Sequence, residues 1–401
     1  MKRNRRISAV AVLALAALVT GTGAGFAATT TPSATPVATH AFDTAPATAT
    51  APTRSFQGTL PVPTGPYAAG EDVIHLTDAS RPDPWVPSSG PRQLTVTMVY
   101  PAVPGTGTPA PYMTLAEAAG SIQFRGVPAS SGVTPQNLSS VTTHAFDGAR
   151  PQSGKYPLVV LSPGFEDPRM VLTSLATDLA SHGYVVALVG HTYEDSGETL
   201  ANGQTPPCAI CHDPALDFDS VAASRALDVS FVIDQLTHGN TAWRLAHHID
   251  KHEIGMAGHS IGGAAAAATM IADPRVRAGV NMDGAFHPAP MPGQISRPFL
   301  MLGAAANHPV GGHDTSWGQA WAALGGYKKW LTVAGADHTS FTDLDLLLEE
   351  AGFPTPPLSP ERGVVITREY VTAFFDQTLK GIHSPLLDGP SPNNPEVLFQ
   401  Y

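Results

Sequence analysis

The sequence predicts an α/β fold with a mainly parallel central sheet and helices on both faces. Two observations lead to this prediction: short apolar segments rich in β-branched residues, and amphipathic segments with helical spacing that alternate with them. A strand that is apolar along its whole length fits a parallel sheet, in which both faces are covered. Right-handed crossovers then place helices on both faces. Strands are predicted at residues 94–100, 157–162, 184–189, 254–257, 278–282, 299–302 and 330–333, and helices at 169–182, 216–236, 264–272, 343–351 and 363–379.

The N-terminus has the pattern of an export signal. Basic residues within 1–6 precede an apolar run at 7–20 that is short for a membrane span, and small residues near position 27 fit a cleavage site. An uncleaved anchor is the alternative to this signal peptide at 1–27. Residues 28–57 are rich in Thr, Ala and Pro, and we predict a disordered linker because they have little apolar surface to bury. The catalytic domain is therefore predicted at 58–401, and we expect a secreted protein.

Charge and hydropathy argue against several function classes. The chain has 22 basic and 33 acidic residues, and residues 1–27 contain four of the basic ones, so the mature chain would carry a formal charge of −15. Such a protein is a poor candidate for binding nucleic acid or an anionic membrane by charge. No second apolar run reaches spanning length, so we expect no membrane span, although transient contact with a lipid surface stays open. We predict a monomer with neither a cofactor nor a metal ion.

The sharpest motif is Gly258-His259-Ser260-Ile261-Gly262, which follows an apolar strand and precedes an Ala-rich helix. In this setting G-x-S-x-G is a nucleophile elbow, a strained turn in which larger side chains two residues from the serine would collide with backbone. A phosphate-binding loop is the alternative, but neither G-x-G-x-x-G nor a P-loop lysine supports it. The motif therefore predicts Ser260 as a nucleophile within an α/β-hydrolase fold.

Asp283 and His338 are predicted to complete a catalytic triad. In this fold the chain order is serine, acid, histidine. Asp283 ends the first strand after the elbow, and His338 lies in the loop after the strand at 330–333. Both positions are at the carboxyl edge of the sheet, where open α/β sheets build their sites. The weaker alternatives are His308 and His313 for the base and Asp314 for the acid, while Asp337 would point differently and His259 is predicted to be structural.

Two backbone N–H groups are predicted to form an oxyanion hole. One belongs to Ile261, which follows the nucleophile. The other is predicted at Phe165, directly after the Ser-Pro-Gly turn at 162–164, although an ordinary strand-to-helix turn is the alternative. With the triad, these donors predict hydrolysis of carboxylic esters through an acyl-enzyme.

Several segments, in chain order, resemble the plasma-type platelet-activating factor acetylhydrolase family in its secreted actinobacterial form. They are residues 63–67 (PTGPY), 81–85 (RPDPW), 98–102 (MVYPA), 162–165 (SPGF), 258–263 (GHSIGG), the Asp283 segment and 337–341 (DHTSF). The resemblance extends over most of residues 60–400. The resemblance implies calcium-independent hydrolysis of short or oxidised acyl esters on lipids. It also implies Ser260, Asp283 and His338 as nucleophile, acid and base. Polyester hydrolases similar to cutinases are the runner-up, but they usually carry the acid after the next strand, where residues 303–307 (GAAAN) offer no carboxylate.

The only two cysteines lie in the segment CAICH at 208–212, which also matches a haem-attachment pattern. In an oxidising compartment we predict a local disulfide between Cys208 and Cys211. Free or redox-active thiols, haem and a metal remain alternatives. The rival functions are accordingly a C-x-x-C-H electron-transfer protein and a hydrolase fold used only for binding. Residues 103–150 are predicted to be an insertion that either caps the substrate pocket or is a surface excursion.

Overall fold

The computed structural model describes residues 56–401, so the predicted signal peptide and residues 28–55 of the predicted linker lie outside the described residues. Phe56 is 2% exposed and packs with Leu60, Tyr112 and Met113. Phe56, which was predicted to belong to the linker, is therefore part of the folded domain. Burial of one aromatic ring outweighs the local preference of a Thr/Ala/Pro-rich sequence for disorder.

A single sheet of 11 strands forms the centre of the described residues. The strands are β1 (Ala68–Pro82), β2 (Pro91–Ala102), β3 (Thr108–Pro109), β4 (Ala145–Asp147), β5 (Tyr156–Ser162), β6 (Val185–His191), β7 (Ile249–His259), β8 (Val276–Met282), β9 (Phe299–Ala304), β10 (Lys328–Val333) and β11 (Val397–Phe399). Their order is β11-β10-β9-β8-β7-β5-β6-β2-β1-β4-β3. From β10 to β6 all neighbours are parallel, whereas β11, β2 and β1 pair antiparallel with β10, β6 and β2. The predicted, mainly parallel α/β sheet is confirmed.

The helices lie between these strands in the chain. They are α1 (Leu115–Phe124), α2 (Pro135–Ser139), α3 (Thr173–Ser181), α4 (Phe218–Thr237), α5 (Ile261–Ala272), α6 (Ser316–Ala323), α7 (Leu344–Glu350) and α8 (Pro360–Leu379). Each helix predicted from periodicity is present with shifted ends. The predicted helix at 169–182 begins as a short 3-10 helix, Arg169–Leu172, before α3. Among residues 56–401, no helix combines the length and apolarity needed to cross a membrane.

Two apolar clusters cover the two faces of the sheet. Successive residues of β5 alternate between them: Leu158 and Val160 belong to one cluster, and Val159 and Leu161 to the other. Strand side chains point alternately to opposite faces, so a wholly apolar strand is buried on both. This explains why β5 and β6 could be recognised from composition alone.

The central strand β5 lies at the point where the chain reverses direction across the sheet. From β5 the chain passes to β6 on one side and then returns to β7 on the other. Ser162 at the end of β5 pairs with Gly258 near the end of β7, so the loops that follow these strands are neighbours. Ligands of open α/β sheets bind at such a switch point, outside the carboxyl ends of the strands.

Candidate active site

Ser260 occupies a strained turn between β7 and α5. Its backbone has φ 56° and ψ −124°, which an L-residue rarely adopts. A Cβ added at Gly258 would lie 2.1 Å from the carbonyl carbon of Gly262, and one added at Gly262 would lie 2.1 Å from the Ser162 carbonyl oxygen. Both glycines are therefore required by close backbone packing, as the motif predicts. The turn presents a half-buried hydroxyl at the N-terminus of α5.

Ser260, His338 and Asp283 form a continuous hydrogen-bonded relay. His338 Nε2 lies 3.0 Å from Ser260 Oγ, and His338 Nδ1 lies 2.7 Å from Asp283 Oδ2. These distances fit an imidazole that donates from Nδ1 to the carboxylate and accepts the serine proton at Nε2. The structure thus brings together three side chains that the sequence spreads over 79 positions, as the elbow and chain order predicted.

Asp283 is held by backbone and side-chain donors from the loop after β9. Its Oδ1 accepts from the Ala304 N–H at 2.6 Å, and its Oδ2 accepts from Asn307 Nδ2 at 2.9 Å. Asp283 itself is 1% exposed and has φ 56°. Donors on both oxygens satisfy the buried carboxylate and fix its plane. Asn307 was missed as a site residue, although the GAAAN segment after the next strand was the signal that could have identified it.

The charge of Asp283 acts directly on the catalytic imidazole. Burial alone would lower the pKa of His338, but the hydrogen bond and negative charge of Asp283 outweigh it and raise the pKa above its ordinary value of 6.5. A protonated His338 is therefore stabilised in this setting, which is what a general base needs after it removes the serine proton.

His259 supports the loop that carries His338. Its Nε2–H donates to the His338 carbonyl oxygen at 2.7 Å, and the two rings lie 4.6 Å apart. Burial and the neighbouring His338 lower the pKa of His259 to about 4. A neutral, buried His259 therefore orients the backbone of the catalytic histidine and takes no part in proton transfer, in line with the structural role that the sequence predicted.

The alternative acid and bases do not approach the nucleophile. His308 lies behind the acid, with its Nε2 3.4 Å from Asp283 Oδ1 and its Nδ1 3.0 Å from Asp314 Oδ2. Asp337 accepts from the Thr339 N–H and caps the short helix that begins at His338. Among the described residues, none of these groups forms a hydrogen bond with Ser260, so the geometry favours the predicted triad of Ser260, Asp283 and His338.

The predicted oxyanion donors lie on adjoining turns. Among the described residues, no protein acceptor is hydrogen-bonded to the N–H of Phe165 or of Ile261, and the first N–H groups of a helix have no acceptor within it. The two side chains pack in the same apolar cluster. Both N–H groups thus lack a protein acceptor among the described residues, and their role as an oxyanion hole stays a prediction.

Aromatic rings and the disulfide border the oxyanion turn. The ring of Phe165 meets Phe218 at 5.4 Å, edge to face, and Phe218 lies 5.7 Å from the ring of His287. Cys208 and Cys211 are joined by a disulfide, which confirms the predicted pairing. Because both sulfur atoms are used in this bond, the alternative of haem attachment through them is wrong. The cluster around Phe165 includes Cys208, so this loop flanks the predicted oxyanion hole.

The insertion at 103–150 contacts the same region. Its helix α1 begins in a capping box formed by Thr114 and Glu117. At its end, Phe124 stacks on His212 with ring centroids 6.0 Å apart, and Arg125 pairs with Asp167, two residues after Phe165. An apolar cavity between α1 and α7 is lined by neither Ser260 nor His338. The insertion therefore borders the oxyanion side of the site, while its role as a cap stays a prediction.

One group of side chains has the composition of a metal site. Ligand atoms of His191, Glu194 and Asp228 lie within 4.8 Å of one another, and all three residues are buried. However, Arg92 pairs with both carboxylates, and Arg225 also pairs with Glu194. These guanidinium groups already neutralise the acids and would repel a cation, so the group does not fit a metal ion.

Comparisons with known proteins agree with this geometry. The sequence profile of the family "Platelet-activating factor acetylhydrolase, isoform II" matches residues 113–206 and 227–351. A protein of Arthroderma benhamiae named probable 1-alkyl-2-acetylglycerophosphocholine esterase is 27% identical over 380 residues, which are 85% of this chain and 93% of that protein. The platelet-activating factor acetylhydrolase of Bos taurus is 28% identical over 187 residues, 38% of this chain and 40% of that protein.

A solved structure gives a more complete match. The ferulic acid esterase from Streptomyces cinnamoneus superposes with a TM-score of 0.76 and is 39% identical, covering 86% of this chain and 100% of that chain. The segments matched by the family profile contain Phe165, Ser260, Asp283 and His338. The residues that form the relay therefore lie within the part of the chain shared with these esterases.

Proposed function

Because the chain belongs to the platelet-activating factor acetylhydrolase isoform II family and is a carboxylic-ester hydrolase of the α/β-hydrolase fold, we propose that it removes short acyl groups from lipid esters through an acyl-enzyme. The observation that carries the proposal is the hydrogen-bonded relay from Ser260 through His338 to Asp283. The printed names of the fungal and bovine relatives refer to an acetyl ester or to an acetylhydrolase, which supports a short acyl group.

In the proposed acylation step, Ser260 Oγ attacks the ester carbonyl while His338 Nε2 takes its proton. Asp283 keeps the imidazole in the tautomer that accepts at Nε2 and stabilises the imidazolium that forms. The carbonyl oxygen becomes an oxyanion that the N–H groups of Phe165 and Ile261 can bind, helped by the N-terminal dipole of α5. The imidazolium then gives its proton to the leaving alcohol.

Deacylation repeats these steps with water as the nucleophile. His338 removes a proton from water, which attacks the acyl group on Ser260, and the second oxyanion collapses to release the carboxylic acid. No metal ion is needed because the two N–H donors and the imidazole supply all the charge stabilisation and proton transfer that this chemistry requires.

A second candidate substrate is an aromatic acid ester, and a specific observation favours it. Phe165, Phe218 and His287 form a continuous row of rings beside the oxyanion turn. Such a row can pack against a planar aryl group, and the Streptomyces structure is that of a ferulic acid esterase. Hydrolysis of a polyester film remains the runner-up among the extended ester substrates.

We also propose that the enzyme is secreted and acts as a monomer, touching lipid surfaces only transiently. The export-signal pattern of residues 1–27 supports secretion, and the predicted disulfide of an oxidising compartment is present as Cys208–Cys211. Cell fractionation of a producing culture, with N-terminal sequencing of the extracellular protein, tests both export and cleavage at residue 27.

A substrate panel tests the proposed activity. The enzyme should be assayed on p-nitrophenyl esters of increasing acyl length, a phospholipid with an acetyl group at its second position, methyl ferulate and a polyester film. We expect the highest kcat/KM on acetyl or butyryl esters, with release of acetate from the phospholipid. A preference for methyl ferulate would favour the aromatic candidate, and soluble products from the film alone would favour the polyester one.

The matched control is Ser260→Ala, which removes one oxygen from the relay. We expect kcat to fall by at least about 10³-fold, with secondary structure and thermal unfolding retained. An organophosphate should inactivate the wild type with one equivalent bound at Ser260. Near-wild-type turnover by Ser260→Ala would exclude the mechanism whatever the preferred ester.

A further inference from the structure

Arg225 is a buried cation that the proposed reaction does not use. It lies on α4 and is 0% exposed. Its Nε donates to Glu194 Oε2 at 2.7 Å, so its charge is balanced. Its other nitrogens point to the turn after β5: one donates to the Pro163 carbonyl oxygen at 2.5 Å and the other to the Gly164 carbonyl oxygen at 3.3 Å.

We propose that Arg225 is a positioning residue that orients the Phe165 N–H as an oxyanion donor. The inference deepens the proposed function and rests on it, because Phe165 matters only if an oxyanion forms beside Ser260. Arg225 acts through the backbone of the turn and does not touch the substrate. Nothing in the sequence pattern of α4 marks this arginine among the other polar residues of the helix.

The geometry of one peptide unit carries the argument. The Gly164 carbonyl and the Phe165 N–H belong to the same peptide group, which is trans. In a trans peptide these two groups point in opposite directions. By holding the Gly164 oxygen, Arg225 turns the Phe165 N–H to the opposite side of the turn, where no protein acceptor among the described residues engages it.

The same turn packs against the elbow. A Cβ on Gly262 would meet the carbonyl oxygens of Ser162 and Pro163 at 2.1 and 2.7 Å, so the start of α5 packs directly on the turn. The turn thus contacts both Arg225 on α4 and the residues that follow Ser260. Further along the chain, the Glu166 N–H donates to the Glu194 carbonyl oxygen at 3.0 Å and fixes the end of the turn.

The charge of Arg225 also strengthens the donor. A cation hydrogen-bonded to a peptide oxygen polarises the whole peptide group and makes its N–H a better donor. This polarisation is available without reorganisation when the oxyanion forms. The gain appears in the transition state, where the oxygen is negative, and is small for the neutral ester, so it should affect kcat more than KM.

Arg92 provides a matched control within the same group of charges. It is also 0% exposed and pairs with Glu194, but its backbone contact is the Thr192 carbonyl oxygen, outside the oxyanion turn. Arg225→Lys and Arg92→Lys each keep the charge and lose the planar fork that binds two acceptors at once. A purely structural role predicts similar effects of the two substitutions on stability and on rate.

The experiment compares both variants with the wild type on a p-nitrophenyl short-chain ester. For Arg225→Lys we expect kcat to fall by about 10- to 100-fold with KM within about twofold, since one oxyanion donor is misaligned. Binding of a boronic acid that forms a tetrahedral adduct on Ser260 should weaken by a similar factor. For Arg92→Lys we expect a comparable fall in Tm, with kcat and inhibitor binding unchanged.

Equal rates for Arg225→Lys and the wild type, or equal losses in the two variants, would overturn the inference. If Arg225→Lys does not fold, Glu194→Gln is the second variant, because it removes the charge that anchors the guanidinium; a kcat loss at constant KM supports the inference, and an unchanged kcat overturns it. If the wild type hydrolyses no ester, the proposed function has failed separately. The rate of Ser260 phosphonylation by a fluorophosphonate, which needs the same oxyanion donor, then decides the role of Arg225.

Discussion

The relay and the buried ion cluster are two polar regions of one molecule that differ in how fully their charges and hydrogen-bonding groups are paired within the protein. The buried ion cluster consists of Arg92, Arg225, Asp83, Glu194 and Asp228, which are all 0–1% exposed. Its carboxylates are paired with guanidinium groups throughout. In the relay, by contrast, the Ser260 hydroxyl and two neighbouring N–H groups remain open to a substrate.

This difference shows that buried charge by itself does not identify an active site. The ion cluster contains more ionisable groups than the relay, and two of them, Glu194 and Asp228, have the composition of a metal site together with His191. Nevertheless, each charge already has its partner, so no bonding capacity is left for a ligand. The relay carries less charge but leaves a nucleophile and hydrogen-bond donors unoccupied, and that incomplete satisfaction makes chemistry possible.

The largest predicted effect concerns the acid of the relay. Asp283→Asn keeps the volume of the side chain but replaces one acceptor oxygen by an NH₂ group, so His338 loses its orienting carboxylate and adopts the wrong tautomer. We expect kcat to fall by about 10³- to 10⁴-fold, measured on a short-chain nitrophenyl ester. Asn307→Ala, which removes only a donor to the same carboxylate, is the control and should cost far less. Comparable losses would mean that Asp283 acts through packing.

The relay could be predicted from sequence because its residues are tied to recognisable backbone features. Ser260 lies in a motif that requires glycines, and Asp283 and His338 follow apolar strands at the carboxyl edge. The 15-residue strand β1 (Ala68–Pro82) went unpredicted because polar residues interrupt its apolar face. α6 (Ser316–Ala323) was missed because it is short and most of its residues are small.

The ion cluster could not be predicted for a different reason. Its members lie on β2, on α4 and in the loops that follow β1 and β6, and in the sequence each resembles an ordinary surface charge. Only the fold shows that Arg92 and Asp228 meet in the interior. Pairing between distant charges has no local signature, unlike a turn that demands glycine or a strand that demands apolar residues. The sequence therefore indicates the catalytic residues better than it indicates the buried ion pairs that stabilise the surrounding structure.

The second prediction tests whether the ion cluster stabilises the fold. Asp228→Asn removes the carboxylate that pairs with Arg92, Arg81 and His191. Although burial alone would raise the pKa of Asp228, the charge and hydrogen bonds of its partners hold it far below the usual value. We expect the free energy of unfolding to fall by about 3–5 kcal/mol, because the substitution leaves buried cations uncompensated. Urea denaturation measures this loss.

The effect of Asp228→Asn on kcat further distinguishes the ion cluster from the relay. At a temperature at which Asp228→Asn is folded, kcat should stay within about threefold of the wild type, since Asp228 contacts neither Ser260 nor the oxyanion turn. A large rate loss without a loss of stability would show that the cluster takes part in catalysis as a unit, whereas the structure indicates that the cluster stabilises the fold and the relay performs the chemistry.

A covalent link in the same neighbourhood should matter less than the charges. The Cys208–Cys211 disulfide closes a ring with a sequence separation of only 3, and a short ring removes little entropy from the unfolded chain. For the double substitution Cys208→Ser/Cys211→Ser we expect the free energy of unfolding to fall by about 2 kcal/mol at most. A loss as large as that of Asp228→Asn would contradict the ranking. Urea denaturation of both variants in one buffer gives the comparison.

The smallest effect is the pH dependence that the relay imposes. Since Asp283 raises the pKa of His338 above 6.5, the neutral base should be half populated above pH 6.5, and kcat/KM should rise with pH through that point, by about tenfold per unit on the acid side. The sign for stability is opposite, because a raised folded-state pKa stabilises the protein fully below pH 6.5, and this contribution is lost as pH rises through the folded-state pKa. Activity should therefore rise while this contribution to stability declines over the same interval. A profile of kcat/KM and Tm from about pH 5 to about pH 9 measures both, and an acid limb centred below pH 6.5 would mean that Asp283 does not hold the proton on His338.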